Sequence, residues 1–147
     1  MKVAIGSDHR GIQQRQAMAR AIEAAGHEVV DKGTASTESV DYPDIAQAVA
    51  SDVSSGAAER GILTCGTGIG VSLAANKFKG VLAAVCHDQR TTRLSRQHNN
   101  ANVLCLPADT LDEKQIEELV TIWLAEKFEG GRHERRVNKI LALEKQA

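Results

Sequence analysis

Five short segments of the sequence are predominantly apolar, and longer segments with the period of a helix separate them. The apolar segments cover residues 3–5, 28–30, 61–64, 81–85 and 103–106. Strands that lack a regular polar alternation are typical of parallel sheets, because such sheets are buried on both faces. Parallel neighbours need crossover connections, which the intervening helices would supply. The alternation therefore predicts an open α/β fold with a parallel sheet of about five strands.

Two of the intervening segments have helical spacing and end at a glycine. The first spans residues 11–25, before Gly26, and repeats three apolar residues on one face: Ile12, Ala19 and Ile22. The second opens at Pro43 and ends at Gly56. Proline at the start of a helix and glycine just after its end are common boundary signals. Both segments are predicted to be crossover helices.

The clearest helix lies nearer the carboxyl end. Its apolar residues recur at i, i+3, i+4, i+7 and i+8: Ile116, Leu119, Val120, Trp123 and Leu124. Thr110 and Glu113 have the spacing of a capping box in front of it. A last helix is predicted from about Arg132 to Lys145. Its buried side would carry Val137, Ile140 and Leu141.

Composition excludes several classes of partner. The 147 residues include 18 Lys and Arg against 19 Asp and Glu, a formal net charge of -1, and the length fits one domain over residues 1–147. Without a basic field, and with only four aromatic residues for stacking on bases, we expect no nucleic acid and no membrane as partner. No apolar run approaches the roughly 18 residues that span a bilayer. The amino-terminal segment lacks the pattern of a signal peptide, which favours a cytoplasmic location.

Polar residues follow several of the predicted strands. Strand one runs into Gly6 to His9, strand three into Cys65 to Gly70, and strand four into Cys86 to Asp88. His98 to Asn100 lie just before strand five, at the end of a helix, from where they could reach the same edge. Ligands of open α/β sheets bind at the carboxyl ends of the strands. Helix capping or loop formation remains an alternative for Ser7, Asp88 and Asn100.

The segment after strand three predicts an anion cradle. Gly66, Gly68 and Gly70 alternate, so successive backbone N–H groups can turn toward one point, and a helix begins near Ile69. Cys65 lies at the lip of this cradle, where amides favour a thiolate that could act as base or nucleophile. The alternative for Cys65 is a buried, inert thiol. A dinucleotide fingerprint would need glycine where Val71 stands, and the Gly-Lys-Ser/Thr of a P-loop is absent.

The other two cysteines, Cys86 and Cys105, are predicted to be core thiols. An odd number of cysteines with no C-x-x-C argues against a disulfide framework and against a zinc ribbon. A metal site is conceivable from four residues at the expected edge: His9, Cys65, His87 and His98. No pair among them has the i, i+3 or i+4 spacing typical of ligands on one element, so no metal is expected.

Positive charge is concentrated in two clusters, although the net charge is small. The first cluster precedes His98 and contains Arg90, Arg93 and Arg96. The second opens the last helix and contains Arg132, His133, Arg135 and Arg136. Arginine clusters suit the bidentate binding of phosphate. The alternative is a solvated helix face balanced by Glu134 and Glu144.

Six blocks of sequence, in order, resemble the ribose-5-phosphate isomerase B family, which also contains galactose-6-phosphate isomerase subunits. The blocks are G-S-D-H at 6–9, D-Y-P-D at 41–44, C-G-T-G-I-G at 65–70, A-A-N-K at 74–77, S-R-Q-H-N at 95–99 and G-G-R-H-x-x-R at 130–136. The resemblance covers nearly the whole chain. It implies a Rossmann-like three-layer α/β/α sandwich with a five-stranded parallel sheet. It also implies a homodimer or homotetramer with sites at the subunit interface and the last helix packed on the neighbouring subunit.

The same resemblance implies roles for individual residues. Cys65 would be the base that moves a proton between C1 and C2 of a phosphorylated sugar through a cis-enediolate, with the amides of Gly66 to Gly70 holding the enediolate oxygen. Thr67 would assist proton handling, His98 would open the furanose ring, and Asp8 would support sugar hydroxyls. The remaining substrate contacts, some from the neighbouring subunit, would be made by His9, Tyr42, Asn99, Arg132, His133 and Arg136. This chemistry requires neither a metal nor a cofactor.

Two positions bear on the subgroup and the substrate. Some relatives use a Glu directly after the last glycine as base; here that residue is Val71, which indicates the subgroup with a cysteine base. Relatives commonly carry an Arg shortly after strand five, where this chain has Asp109. Asp109 would repel phosphate if it pointed inward, so it points outward, or the other cations suffice, or the sugar phosphate has four or six carbons instead of five. Whether Arg135 or Arg136 faces the ligand is left open.

Two alternatives to a pentose phosphate isomerase come from other classes. One is a non-catalytic sugar-phosphate-binding subunit that works beside a catalytic chain. The other is a hydrolase that depends on a thiol or a metal. The presence of both Cys65 and His98 favours the isomerase.

Overall fold

A parallel sheet forms the centre of the molecule. The computed structural model describes residues 1–33 and 38–146. The five strands are β1 (Lys2–Ser7), β2 (Glu28–Asp31), β3 (Arg60–Cys65), β4 (Ala83–Val85) and β5 (Val103–Pro107). All pairings are parallel, in the order β2-β1-β3-β5-β4. This confirms the five predicted strands and the parallel sheet, with β4 shorter than expected.

Helices cover both faces of the sheet. They are α1 (Ile12–Ala24), α2 (Tyr42–Ser55), α3 (Ile69–Ala75), α4 (Gln89–Gln97), α5 (Glu113–Ala125) and α6 (Arg132–Ala142), followed by a 3₁₀ turn at Leu143–Gln146. Helices α1, α4 and α5 lie on one face, and α2 and α3 on the other. The result is the predicted three-layer α/β/α sandwich. No helix in the described part of the chain is long and apolar enough to cross a membrane.

Each face of the sheet has its own core, because alternate strand residues point to opposite sides. On the α1 and α5 side, Ile5, Ile62 and Leu104 pack with Trp123, which is fully buried. On the α2 and α3 side, the cluster includes Ala4, Leu63, Val103, Val49 and Val71. The two buried faces explain why the strands lack a polar alternation.

The predicted capping box of α5 is wrong. Its N-cap is Asp112, which accepts a hydrogen bond from the backbone N–H of Gln115, while the Gln115 side chain accepts one from the backbone N–H of Asp112. Thr110 is still in the turn that leaves β5, where its N–H and that of Leu111 point to the Pro107 carbonyl. The helix therefore starts at Glu113 instead of carrying Glu113 as its third residue.

The last helix is present, but one of its predicted buried residues is exposed. Val137 is buried, Leu141 is half-buried, and Ile140 exposes 47% of its surface. Leu143 in the following turn is 59% exposed. The prediction that Ile140 is buried is therefore wrong for a single chain. Ile140 and Leu143 thus face a side of the molecule that the residues described by the structure leave open.

Candidate functional site

Cys65 ends β3 next to the point where the sheet changes its winding direction. Strands β1 and β3 are neighbours, with Ser7 opposite Thr64, yet the chain leaves β1 toward β2 on one side and leaves β3 toward β4 on the other. Such a switch point opens a crevice beyond the carboxyl ends of the two strands. Cys65 borders this crevice and exposes 4% of its surface.

The connection from β3 to α3 supplies unpaired backbone donors beside Cys65. The N–H groups of Gly66, Thr67 and Gly68 have no hydrogen-bond partner among the residues described. Gly68 has φ +76°, and a Cβ there would lie 3.2 Å from the carbonyl carbon of Leu106. The Thr67 hydroxyl accepts a hydrogen bond from the N–H of Ile69 at 3.2 Å, so that amide is not available to a ligand. The cradle is therefore smaller than the full run from Gly66 to Gly70.

Asp8 and His9 lie in the turn that follows β1. Asp8 is 6% exposed, and its Oδ1 accepts a hydrogen bond from the Arg10 N–H at 3.0 Å. His9 is half-buried, and its Nδ1 accepts a hydrogen bond from the N–H of Val40 at 3.3 Å. This bond leaves the proton of a neutral His9 ring on Nε2. Both side chains thus belong to the same edge as Cys65.

Tyr42, the first residue of α2, covers the cradle from the side. A Cβ on Gly70 would lie 2.6 Å from two ring carbons of Tyr42 and 3.0 Å from its hydroxyl oxygen. Any side chain at residue 70 would displace this ring. Tyr42 itself is 42% exposed, so the ring can contact a ligand in the crevice.

The carboxylate of Asp109 is ion-paired, so it does not present an unpaired negative charge to the cradle. Both of its carboxylate oxygens accept hydrogen bonds from Nη2 of Arg10, at 2.9 and 3.0 Å. A guanidinium thus neutralises the carboxylate that would otherwise repel phosphate. Nothing in the local sequence indicates that Arg10 meets a residue 99 positions away, so its role emerges only from the fold.

The prediction that His98 to Asn100 reach the edge of Cys65 is wrong within one chain. Helix α4 begins after Asp88, beyond the end of β4, and runs back antiparallel to the strands. Asn102, just after His98, accepts from the Gly61 N–H and donates to Leu82, at the starts of β3 and β4. The six residues of β3 separate the two edges by roughly 15–20 Å.

A second cluster therefore lies at the amino-terminal edge of the sheet. The His98 and His133 rings stack with centroids 4.0 Å apart and an interplanar angle of 9°. Glu129 Oε2 lies 3.8 Å from Nε2 of His98 and 3.6 Å from Nε2 of His133. Burial lowers the pKa of His133 from its usual value, and nearby His98 and Arg132 lower it further. Asn99 adjoins this cluster and is exposed, as are Arg132, Arg135 and Arg136.

The arginines before His98 are not free to bind phosphate as a group. Arg93 pairs with Glu126 at 2.8 Å. Arg96 is 7% exposed and donates from Nη1 to the Asn100 side chain and to the Ala101 carbonyl, at 3.0 and 2.8 Å. Burial, with a contribution from Arg60, lowers the pKa of Arg96 to about 10. Arg96 thus fixes the turn that carries His98 and Asn99, a role that its sequence position did not indicate.

The four residues considered as possible metal ligands do not lie together. His9, Cys65 and His87 lie at or just after strand ends at the carboxyl edge of the sheet, whereas His98 lies at the amino edge. The described residues do bring another potential set together, the ligand atoms of His98, Glu129 and His133, all within 4.8 Å of one another. Imidazole binds a metal in the plane of its ring, and these two rings lie in parallel planes. One ion could not lie in both planes, so this arrangement does not fit a metal centre.

Cys86 and Cys105 have the character predicted for core thiols. Both are buried, at 1% and 0% exposed. Burial raises the pKa of Cys86 and raises that of Cys105 well above its usual range, which keeps both protonated. Cys65 differs from them in its position beside the unpaired amides of the cradle.

A doubly wound α/β domain with a thiol, a buried carboxylate and unpaired amides at its switch point defines a class of proteins that do acid–base chemistry on small anionic molecules. Comparison with known proteins is more specific. The chain matches the Ribose/Galactose Isomerase family over residues 3–140, and it belongs to that family. This confirms the resemblance drawn from the six sequence blocks.

Similar proteins of known name extend over almost the whole chain. The chain is 44% identical to the ribose-5-phosphate isomerase B of Escherichia coli over 97% of this chain and 96% of that one. A solved structure of ribose-5-phosphate isomerase B from Clostridium thermocellum has a TM-score of 0.96 and 46% identity, and covers 99% of both chains. The enzyme of Mycoplasma genitalium, solved with bound ribulose-5-phosphate, has a TM-score of 0.95 and 42% identity, over 99% of this chain and 97% of that one.

Proposed function

We propose that this chain is an aldose–ketose isomerase that interconverts ribose 5-phosphate and ribulose 5-phosphate. The observation that carries the proposal is Cys65 beside unpaired amides at the switch point, in a chain 44% identical to an enzyme of that activity. Similarity to a protein solved with bound ribulose-5-phosphate supports the same substrate class. A pentose phosphate fits because Arg10 pairs with Asp109, which removes the repulsion expected from that carboxylate.

The chemistry proposed for Cys65 is a proton transfer between adjacent carbons. The thiolate takes the proton from C2 of the open-chain aldose, and the electrons of that bond form the C1–C2 double bond while the carbonyl electrons move to O1. The proton of the C2 hydroxyl then passes to O1, the electrons on O2 form the C2 ketone, and the electrons of the C1–C2 double bond take the proton from the Cys65 thiol at C1, which restores the thiolate. A base with a pKa near the working pH contributes about 10²–10⁴-fold to such a step.

The amides of Gly66 and Gly68 are suited to the enediolate oxygen. Donors fixed at the position where charge develops are worth roughly 10²-fold or more each. Thr67 adds a hydroxyl at the same place, and Asp8 and Tyr42 border the sugar. Because base and donors all come from the chain itself, the proposed reaction requires no metal or cofactor.

We propose further that a second copy of the chain completes each site. His98, Asn99, Arg132, His133 and Arg136 would open the ring and bind the phosphate from the partner, together with His9 from the chain that holds Cys65. The support is geometric, since the two clusters lie at opposite edges of one sheet and one sugar phosphate cannot touch both. In a homodimer or homotetramer, the carboxyl edge of one copy can meet the amino edge of another.

Exposed apolar residues support this assembly. Ile69 and Leu73 on α3 are 53% and 63% exposed, and Ile140 and Leu143 at the end of the chain are 47% and 59% exposed. A cavity of about 930 Å³ lies between the α3–β4 connection and α6, lined by Phe78, Ile140 and Leu143 among others. Large exposed apolar side chains grouped in this way mark contact surfaces. We therefore expect α6 to pack on the neighbouring subunit.

The test is turnover of ribose 5-phosphate and of four- and six-carbon aldose and ketose phosphates, with a chelator present. Fast conversion of the pentose phosphate supports the proposal, and preference for another length keeps the mechanism but changes the substrate. Cys65→Ala is expected to lower kcat by about 10³-fold or more, whereas Cys86→Ala, a matched core thiol, keeps nearly full activity. Wild-type turnover by Cys65→Ala would contradict the role of Cys65. Stoichiometric phosphate binding without any turnover by the wild type would favour a non-catalytic binding subunit.

A further inference from the structure

Arg10 and Asp109 form an ion pair directly over the cradle. Arg10 follows β1 and Asp109 follows β5, and β3 lies between these strands in the sheet. The pair therefore spans the carboxyl end of β3. A Cβ on Gly66 would lie 2.9 Å from Nη1 of Arg10 and 2.9 Å from Oδ2 of Asp109, so the two side chains contact the backbone next to Cys65.

The guanidinium of Arg10 has donors to spare. Nη2 makes both contacts with the Asp109 carboxylate, at 2.9 and 3.0 Å. Nη1 and Nε have no hydrogen-bond partner among the residues described, and Nη1 is the nitrogen that faces Gly66. The two N–H groups of Nη1 therefore lie beside the unpaired amides of the cradle. A guanidinium nitrogen in this place can donate charge-assisted hydrogen bonds to a phosphate oxygen.

The backbone on both sides of the pair is fixed to the site. The Arg10 N–H donates to Asp8 Oδ1 at 3.0 Å, and the Asp109 N–H donates to the Gly66 carbonyl at 3.0 Å. The side chains themselves are 56% and 43% exposed. Exposed ion pairs contribute little to stability. The backbone of both residues is thus fixed beside the cradle, although the ion pair itself adds little to stability.

We propose that Arg10 is a ligand of the substrate phosphate and that Asp109 is the residue that positions its guanidinium. This inference rests on the proposed function for the identity of the substrate. The reacting oxygens are placed on the cradle amides next to Cys65, whereas the planar guanidinium suits the phosphate group. Asp109 holds Nη2 and leaves Nη1, which faces Gly66, free for the ligand.

The test uses inorganic phosphate and ribose 5-phosphate with the full-length assembled protein. Arg10→Ala is expected to raise KM, and the inhibition constant of inorganic phosphate, by about ten-fold or more with kcat within about three-fold. Arg10→Lys, which keeps the charge but not the fork, gives a smaller rise. Arg20→Ala is the matched control, because Arg20 is 52% exposed and ion-paired with Glu117 on a distant face. It leaves both constants unchanged.

Asp109 is tested by a double-mutant cycle. Asp109→Ala alone is expected to raise KM in the same direction as Arg10→Ala but by less, and to add nothing in the Arg10→Ala background, because Asp109 acts only through Arg10. Additive effects, or a fall in KM, would overturn the positioning role. Unchanged phosphate inhibition in Arg10→Ala would overturn the ligand role, and so would a loss confined to kcat. Calorimetric titration with inorganic phosphate gives the same comparison if no sugar phosphate is turned over, so this inference can fail separately from the proposed function.

Discussion

The rings of His98 and His133 lie in stacked contact, 4.0 Å between centroids, although they come from α4 and α6. Glu129 lies beside both Nε2 atoms, and its own N–H donates to the Gln97 carbonyl at 3.0 Å. The loop before α6 is therefore tied to the end of α4. The amino-edge cluster is assembled before any ligand or second chain arrives.

This stack predicts a dependence of stability on pH. Burial, His98 and Arg132 lower the pKa of His133 in the folded protein, so the unfolded chain binds more protons as the pH falls below the usual histidine value. Stability is full above that value and is lost as the pH falls through the lowered pKa. We expect the Tm of the wild type to fall as the pH drops from about 7 to below the usual histidine value, and to fall less in His133→Asn.

Thermal unfolding followed by circular dichroism over that range provides the measurement. Asn99→Ala, which adjoins the cluster but has no titratable side chain, is the control and should retain the wild-type slope. Equal slopes for the wild type and His133→Asn would contradict the prediction.

The second prediction concerns how much the N-cap residue of α5 contributes to stability. Asp112→Ala removes the acceptor for the Gln115 N–H and should lower the free energy of unfolding by about 1 kcal/mol. Thr110→Ala, at the position that the sequence pattern favoured, should change it by less than about 0.5 kcal/mol. Urea unfolding of the two variants checks this, and a larger loss in Thr110→Ala would reverse the assignment.

Replacing Gly68 by alanine is expected to lower both stability and activity. Its φ of +76° makes alanine strained by about 1–2 kcal/mol. A Cβ would also press on the Leu106 carbonyl carbon at 3.2 Å and so shift the cradle. Gly56→Ala, with φ +82° and no atom within 4 Å of the Cβ position, is the matched control. We expect the larger loss of unfolding free energy in Gly68→Ala, because only there does the Cβ meet backbone atoms, with turnover reduced only in Gly68→Ala; equal turnover in both variants would argue against a catalytic cradle.

Arg96 is expected to act on turnover through the turn that it holds. Arg96→Met removes hydrogen bonds to the Asn100 side chain and the Ala101 carbonyl and should cost about 2–3 kcal/mol of stability. The guanidinium groups of Arg96 and Arg60 both lie over the Trp123 ring, 5.9 and 5.2 Å from its centroid, but Arg60 donates to the carbonyls of Trp123 and Leu124. Arg60→Met should therefore destabilise comparably while kcat stays near the wild-type value. Full kcat in Arg96→Met, measured below the onset of unfolding, would rule out the positioning role.

Local sequence was sufficient for the sheet and for the carboxyl-edge cluster. Buried parallel strands have a recognisable apolar pattern, and the residues after β1 and β3 must meet because neighbouring parallel strands end at one edge. Asp8, His9 and the cradle could thus be placed from their positions alone. The core character of Cys86 and Cys105 followed from their apolar surroundings.

Other features depended on contacts between distant parts of the chain. The sequence does not reveal that α4 returns His98 to the opposite edge, since the length of a helix and its direction against the sheet decide this. Arg10 meets Asp109 only because β1, β3 and β5 are adjacent. Ile140 is exposed although its position in the helical pattern is that of a buried residue. The pattern identifies an apolar helix face, but it does not distinguish a face buried in the core from one covered by another subunit.

In the proposed assembly, each catalytic centre combines Cys65 of one chain with His98 of another. Co-expression of a Cys65→Ala chain with a His98→Ala chain tests it directly. Each variant alone is expected to be folded and nearly inactive, and the mixture to recover about a quarter of wild-type turnover, because random pairing gives half mixed dimers with one intact site each. No recovery from verified mixed dimers would contradict a site shared between two chains.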